Sequence, residues 1–406
     1  MSSETAVYYH RTLTLPTARN AVVRPSTGRG ALAVPAEITT GIGTVRDRTG
    51  TAVGNGTDAS VPLATVTVVI PCFNYGRFLH GAITSVLSQD GVEVDVVVVD
   101  DCSTDDSVLV AEELAAADGR VQVVRHVRNG GAVQTFNDGL AEASGEFVVR
   151  LDADDLLTPG SLARAVRLAR RFPSVGLVYG HPVHFTDGQQ LPPARDRATS
   201  WTVWPGASWV QERCADGRNV ITSAEVLMRR SVVDRVGGQR DLAHTHDMEM
   251  WLRLASFSDV GYVHGADQAW HRDHPASLSA REVDIAVDLA ERRLAFSTLF
   301  SGAVGSLPWA AEACRTVSDR LDRETLQLLS HEVDANGGTS PVFARLLELE
   351  LTPTRRNLTS RDRILRRAAR SRGPADRAMS LGRRATARFR RVREFRTWHQ
   401  NGVYSR

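Results

Sequence analysis

The sequence predicts an α/β fold with a mostly parallel sheet, followed by a helical region. Two observations carry this expectation. Continuous β-branched runs, VTVVI (66–70), VDVVVV (94–99), VQVV (121–124) and EFVVRL (146–151), recur at intervals of roughly 27 residues, as strands buried on both faces do. Helical spacing fills the gaps between them, and strand alternating with helix four times is the pattern of right-handed parallel crossovers.

In chain order, residues 1–62 are rich in Thr, Gly, Ala, Ser and Pro without a 3.6 or a 2 period, and read as a mobile leader. After the first strand, Phe78, Leu79, Ala82, Ile83, Val86 and Leu87 mark one helix face. Ser103 followed by Asp106 resembles a capping box that opens a second helix near Asp105. Asn129-Gly130-Gly131 reads as a turn needing positive φ, and Val133, Phe136 and Leu140 mark a third helix. Thr158 and Pro159 suit the cap and first position of a fourth, with Leu162, Val166, Ala169 and Phe172 on its apolar face. VGLVY (175–179) is a further strand. Residues 181–220, with Trp201, Trp204 and Trp209 among Pro and Gly, read as loops or short helices over one end of the sheet. AEVLMRR (224–230) reads as a strand, SVVDRVGG (231–238) as a helix stopped by glycine and DMEMWLRLA (247–255) as a helix. From about Glu282 to Leu349 the pattern is helical throughout. The expected organisation is a leader over 1–62, an α/β domain over 63–280, a helical appendage over 281–352 and a basic tail over 353–406.

Composition narrows the function. With 406 residues, 42% of them hydrophobic and 24% charged, a chain disordered throughout is excluded. No apolar run approaches the eighteen or so residues of a bilayer-crossing helix, and MSSETAVYYHRTLTLP lacks the apolar stretch of a secretory signal, so a cytoplasmic location is expected. Cys72, Cys102, Cys214 and Cys314 lie far apart without a C-x-x-C pair and read as buried thiols. The net charge of +2 hides a split: residues 353–406 hold 17 Arg against Asp362, Asp376 and Glu394, a net of +14, which leaves −12 on the rest. Leu381, Ala385, Phe389, Val392, Phe395 and Trp398 share one helical face in that tail. The pattern fits an amphipathic helix on the anionic inner face of the cell membrane, with a solvated or partly disordered tail as the alternative; nucleic-acid binding would use the same charges and is not expected.

Ligands of open parallel sheets bind outside the carboxyl ends of the strands. Here the first strand ends in Pro71-Cys72-Phe73-Asn74-Tyr75, the second in Asp100-Asp101-Cys102-Ser103 and the fourth in Asp152-Ala153-Asp154-Asp155. Five carboxylates on one rim repel unless a hard cation sits among them, which makes Asp-x-Asp a candidate site for a metal diphosphate. Neither G-x-G-x-x-G after the first strand nor a Walker A loop is present.

Six motifs, VTVVIPCFNYGRFLHGAITSVLSQ, VVVVDDCSTDDS, RNGGAVQTFNDGLAEASGEFVVRLDADD, RRSVVDRVGG, HDMEMWLRLA and HRDHPASLS, follow in one order over roughly residues 64–280. In order and spacing they resemble the inverting glycosyltransferases of family 2, with the GT-A fold. The resemblance implies Pro71, Phe73 and Asn74 beside the nucleotide, Asp101 on the donor base and Gly131 in the loop facing it. It places Asp152 against the ribose or the metal, makes Asp154 the principal ligand of Mn²⁺ or Mg²⁺, brings His274 to the metal diphosphate and makes Asp247 the general base. His246 stands where the family keeps an acid, and Cys102 where it keeps glycine. The donor implied is a nucleoside-diphosphate sugar, UDP- or dTDP-linked, and the acceptor a glycan, a lipid-linked glycan or a secondary metabolite. His271 reads as an exposed histidine just past a strand, and the three tryptophans of the 181–220 segment could stack on a sugar ring. A catalytically inactive binding protein and a sugar nucleotidyltransferase remain alternatives, although the Gly-rich, Lys-bearing loop of the latter is absent.

Overall fold

The computed structural model describes residues 43–45, 62–188, 190–274 and 284–369. The 1–62 leader lies outside these apart from Pro62 and the strand β1 (Gly43–Val45). The first half alternates as expected: β2 (Thr65–Cys72), α1 (Gly76–Leu87), β3 (Glu93–Asp100), α2 (Ser107–Ala117), β4 (Val121–Arg125), α3 (Gly131–Glu142) and β5 (Phe147–Arg150). Then come β6 (Leu156–Leu157), α4 (Ser161–Arg171), β7 (Val175–Thr186), β8 (Ser200–Trp204), α5 (Gly206–Asp216), β9 (Leu227–Arg229), α6 (Arg230–Val236), α7 (His246–Ala255) and β10 (Asp259–Asp273).

One sheet runs β1-β8-β10-β7-β9-β5-β2-β3-β4, with β6 paired to β10. The β4-β3-β2-β5 half is parallel. β9 runs antiparallel between β5 and β7, so β5, β7 and β10 point the same way and their carboxyl ends share a rim. Pro71 fits in the middle of this sheet because β2 pairs with β5 only as far as Val69, so no ladder donor is needed from residue 71 on that side. The valine runs supply the core on both faces: Val66, Val68 and Ile70 pack under α1, while Val69 and Val148 pack toward α3 and α7.

Residues 181–220 are more regular than expected. β7 continues to Thr186, Ser200–Trp204 is a strand on β10 and Gly206–Asp216 is a helix. Trp204 and Trp209 are buried against Tyr179 and are core residues rather than a sugar platform, while Trp201 is partly buried and packs edge-on to Phe172. α5 starts at Gly206 for a tertiary reason: a Cβ there would run into the carbonyl oxygens of Ala255 and Ser258. Two caps also differ. Ser103 and Thr158 do not cap their helices, whose N-caps are Asp106 and Gly160. The Ser103 hydroxyl instead accepts from the Asn74 N–H at 2.9 Å, and the Thr158 hydroxyl donates to the Asp267 carbonyl at 2.5 Å. Cys72 and Cys214 are buried, Cys102 and Cys314 partly so, and all four are free.

The helical region comprises α8 (Ile285–Ser301), α9 (Ala310–Asn336), α10 (Pro341–Glu348) and α11 (Arg355–Ala368), with a 3₁₀ turn at Ala303–Ser306. Its apolar side is continuous with the core around α7 and α5, joining Phe296, Leu299, Leu321 and Val333 to Trp209, Met250, Trp251 and Leu254. Buried Arg292 ties the joint, donating to the Gly217 carbonyl at 2.6 Å and pairing with Asp288 and Glu324 at 2.9 Å each. The first part of the basic tail, α11, packs on α9 through Ile364 and an Asn357–Asp322 hydrogen bond. The stripe from Leu381 to Trp398 lies outside the described residues. Among the described residues no helix is long and apolar enough to cross a membrane.

Candidate active site

The rim is assembled from the strand ends inward. After β2 the chain turns at Asn74, whose φ of +60° suits asparagine better than most side chains. Its amide oxygen accepts from the N–H groups of Thr104 (2.7 Å) and Asp105 (3.3 Å), which locks this turn to the one after β3. Asn74 is thus occupied in holding the rim together, and Phe73 beside it is left exposed at 44%. After β3, Asp101 is buried, and both of its oxygens are used: Gly130 N–H donates to Oδ1 at 2.7 Å, Gly131 N–H to Oδ2 at 2.9 Å, and His126 Nδ1 lies 2.8 Å from Oδ1. Gly131 has the positive φ expected of this turn, +81°. Burial would raise the Asp101 carboxyl, but these hydrogen bonds and the His126 charge outweigh it and hold the group below its usual range. A depressed folded value means that Asp101 stabilises the fold above about pH 4 and that this contribution fades as the pH falls below it.

After β5, Arg150 reaches forward two residues and pairs with Asp152 at 2.8 Å. Asp154 Oδ2 lies 2.8 Å from His274 Nε2, just past the end of β10, and the Arg272 Nε–H donates to the Asp154 carbonyl at 2.9 Å. Two residues assigned separately to the metal, Asp154 and His274, therefore meet. Tyr75 and Phe78 flank the His274 ring at 5.8 and 5.6 Å. Its Nδ1 is buried and has no hydrogen-bond partner among the described residues. Asp155 turns the other way and is buried: its oxygens receive His271 Nδ1 at 2.9 Å and the Arg272 N–H at 2.8 Å. His271 is accordingly a mostly enclosed member of β10, not an exposed loop residue.

Across β9, α7 opens with Asp247 in its first turn, half-buried. Asp247 Oδ1 accepts from its neighbour Met248 N–H at 2.6 Å and Oδ2 from the Ser223 hydroxyl at 2.7 Å. Ser223 is held at φ +78°, an uncommon backbone for serine. The turn is tied by Glu225, which accepts the Thr222 N–H at 2.8 Å and whose carboxyl is pushed up to about 7 by burial. His246 is 5% exposed with Nδ1 toward the Leu242 carbonyl. Burial, reinforced by the Arg150 charge, pushes its imidazole down, against the opposing pull of Asp247 and Asp152. His246 thus feels the charges of Asp247 and of the Arg150–Asp152 pair together.

Sequence reasoning missed His126, Arg150, Ser223 and Arg272. Only Arg150 had a local signal, since residues two apart at a strand end share a face.

Residues 67–237 match the family model described as Glycosyl transferase family 2. A β-1,3-glucosyltransferase of Campylobacter jejuni, named for the substrate GalNAc(5)-diNAcBac-PP-undecaprenol, is 36% identical over 105 residues, which cover 26% of this chain and 34% of that one. Three further curated relatives are matched over 38%, 31% and 64% of their lengths. Among solved structures, Staphylococcus aureus TarS 1–349 with UDP-GlcNAc superposes with a TM-score of 0.51 at 16% identity, over 83% of this chain and 90% of that one. The mannosyltransferase PcManGT from Pyrobaculum calidifontis, with GDP-Man and Mn²⁺, gives 0.50 at 17% identity over 84% of each chain. At such identities these likenesses speak to the fold, which is GT-A.

Proposed function

Residues 67–237 form a domain of glycosyltransferase family 2, and from that premise we propose that the chain moves a sugar from a nucleoside-diphosphate sugar to an acceptor hydroxyl with inversion. The observation that carries the reading is Asp154 held against His274 at the strand ends together with a hydrogen-bonded carboxylate, Asp247, in the first turn of α7, whose neighbour His246 feels the charges of both Asp247 and Asp152. Pro71, Phe73, Gly131, Asp101 and Asp152 form the donor end. The solved neighbours with UDP-GlcNAc and with GDP-Man support a nucleoside-diphosphate donor, and a UDP- or dTDP-linked sugar remains our reading.

A divalent cation fits this donor set. Asp152 and Asp154 offer carboxylate oxygens, and the imidazole of His274 favours Mn²⁺ over Mg²⁺. Such an ion would neutralise the diphosphate as it leaves. The chain's own residues do the rest. Arg150 and Arg272 steady the Asp152–Asp155 turn, the 126–131 loop covers the nucleotide end, and Asp247 accepts the proton of the attacking hydroxyl from the face opposite the leaving group. The test is a panel of sugar nucleotides assayed for released nucleoside diphosphate with and without chelator. If calorimetry detects donor binding but no sugar nucleotide turns over, the chain is a binding protein instead.

Asp101→Ala should free Gly130 and Gly131 and weaken binding of the nucleoside diphosphate by about 10–100-fold, the worth of a charged hydrogen bond. An unchanged affinity in calorimetry would leave Asp101 a purely structural role.

The acceptor side is proposed as glycan or lipid-linked, in line with the lipid-linked substrate in the name of the Campylobacter relative. The tail supports work at an anionic membrane surface. Because α11 is packed on α9, the cut that tests this removes residues 370–406 and spares the helix. Cosedimentation with anionic vesicles should then be lost at low salt while turnover of a soluble acceptor persists. A full-length protein that ignores such vesicles overturns the assignment.

A further inference from the structure

A second group of metal-type ligands lies beside the rim, on side chains that the transfer reaction does not use. His184 on β7 and His271 on β10 are direct neighbours across the parallel ladder. Asp273, two residues beyond His271, projects to the same face. One ligand atom from each of the three lies within 4.8 Å of the others. His184 Nδ1 is 3.3 Å from the Asp273 carboxylate, His271 Nε2 is 4.0 Å from it, and the two rings stand 4.9 Å apart edge to face. The alternation of the strand sends Arg272 and His274 to the opposite face, where Arg272 lies between Phe78 and Phe185 at 4.5 Å from each. Its guanidinium therefore does not stand among the three ligands.

We propose that His184, His271 and Asp273 form a second metal site, separate from the donor site at Asp154, for a divalent transition ion of the Zn²⁺ class. Two imidazoles and one carboxylate suit such an ion rather than Mg²⁺. The outer partner that metal-bound histidines ordinarily have is already in place. The buried carboxylate of Asp155 takes His271 Nδ1, which leaves Nε2 to face the other two ligands, and the Arg272 N–H fixes Asp155 in turn. The surroundings favour positive charge. Two carboxylates stand against the His271 ring, Asp155 at 2.9 Å and Asp273 at 4.0 Å. Through Asp155, an ion here would brace the turn that carries Asp154. The site thus supplies a clamp on the donor loop and takes no part in the chemistry. Its existence does not depend on the glycosyl-transfer reading.

The experiment uses the full chain, stripped with chelator, loaded with Zn²⁺ under excess Mg²⁺ and passed through a desalting column before metal analysis. One zinc per chain is expected in the native protein and in Asp154→Asn, with loss from His184→Asn and from Asp273→Asn. His184→Cys should retain it, because a thiolate is also a zinc ligand. Circular dichroism melts establish which variants fold, and if His184→Asn does not, Asp273→Asn decides, its side chain being 43% exposed. Native protein that retains no zinc overturns the proposal. So does zinc that survives in a folded His184→Asn or Asp273→Asn variant, or zinc that is lost with Asp154→Asn.

Discussion

Asp247→Asn is expected to lower turnover by about 10²–10⁴-fold, the usual contribution of a general base, and to leave binding of nucleoside diphosphate with metal nearly unchanged. The reasoning starts from the helix. The carboxylate sits in the first turn of α7, and the Met248 N–H and Ser223 hydroxyl each donate to it, one per oxygen. Each oxygen keeps a further lone pair for an incoming proton. The amide of asparagine can keep one of these contacts but cannot take the proton. His246 is the adjacent alternative, and its position argues against it: the ring is buried, and burial together with the Arg150 charge pushes it toward the neutral form. His246→Ala should therefore act mainly on stability. If it abolishes turnover in a folded protein while Asp247→Asn does not, the base has been misplaced by one residue. The anomeric configuration of the product, read by NMR, checks the same geometry independently, since retention is incompatible with a single in-line attack.

Asp154→Asn is the second large effect. The fold should survive, because Asp154 is half-buried and asparagine can still accept from His274, whereas metal-dependent turnover should fall to background. An amide supplies the shape of the ligand without the charge that holds a hard cation against a diphosphate. Manganese titration of the variant is the measurement. Near-normal turnover in Asp154→Asn, or native turnover that ignores chelator, would remove the cation from this site.

Much of this site is legible in the sequence because its parts sit at strand ends that valine runs make visible. Pro71, Asp101, Asp152 and Asp154 each follow such a run, and the sheet alone brings them to one rim. What is not legible depends on partners far away in the chain. Ser103 and Thr158 look like caps by local rules, yet their hydroxyls are bonded to residues 29 and 109 positions away. His126 and Ser223 carry no local mark, and their value lies in contacts with Asp101 and Asp247, 25 and 24 residues distant. The 181–220 segment hid β8 and α5 because its strand period is masked by tryptophans and prolines. Its helix begins where the backbone of Ala255 and Ser258 approaches Gly206, a contact no window of sequence contains.

The apolar joint behind α7 bears on how such a chain can be rearranged. The helix that presents Asp247 on one flank is backed on the other by Phe296, Leu299 and Val333, and Arg292 reaches across to the Gly217 carbonyl. The helices of residues 285–369 are therefore not a detachable module that recombination could swap for another while leaving the front intact. If the proposed role of Asp247 holds, new acceptor preferences would arise by substitution within this body, around Ser223 and the opening of α7, or by exchange of α7 and the C-terminal helices together.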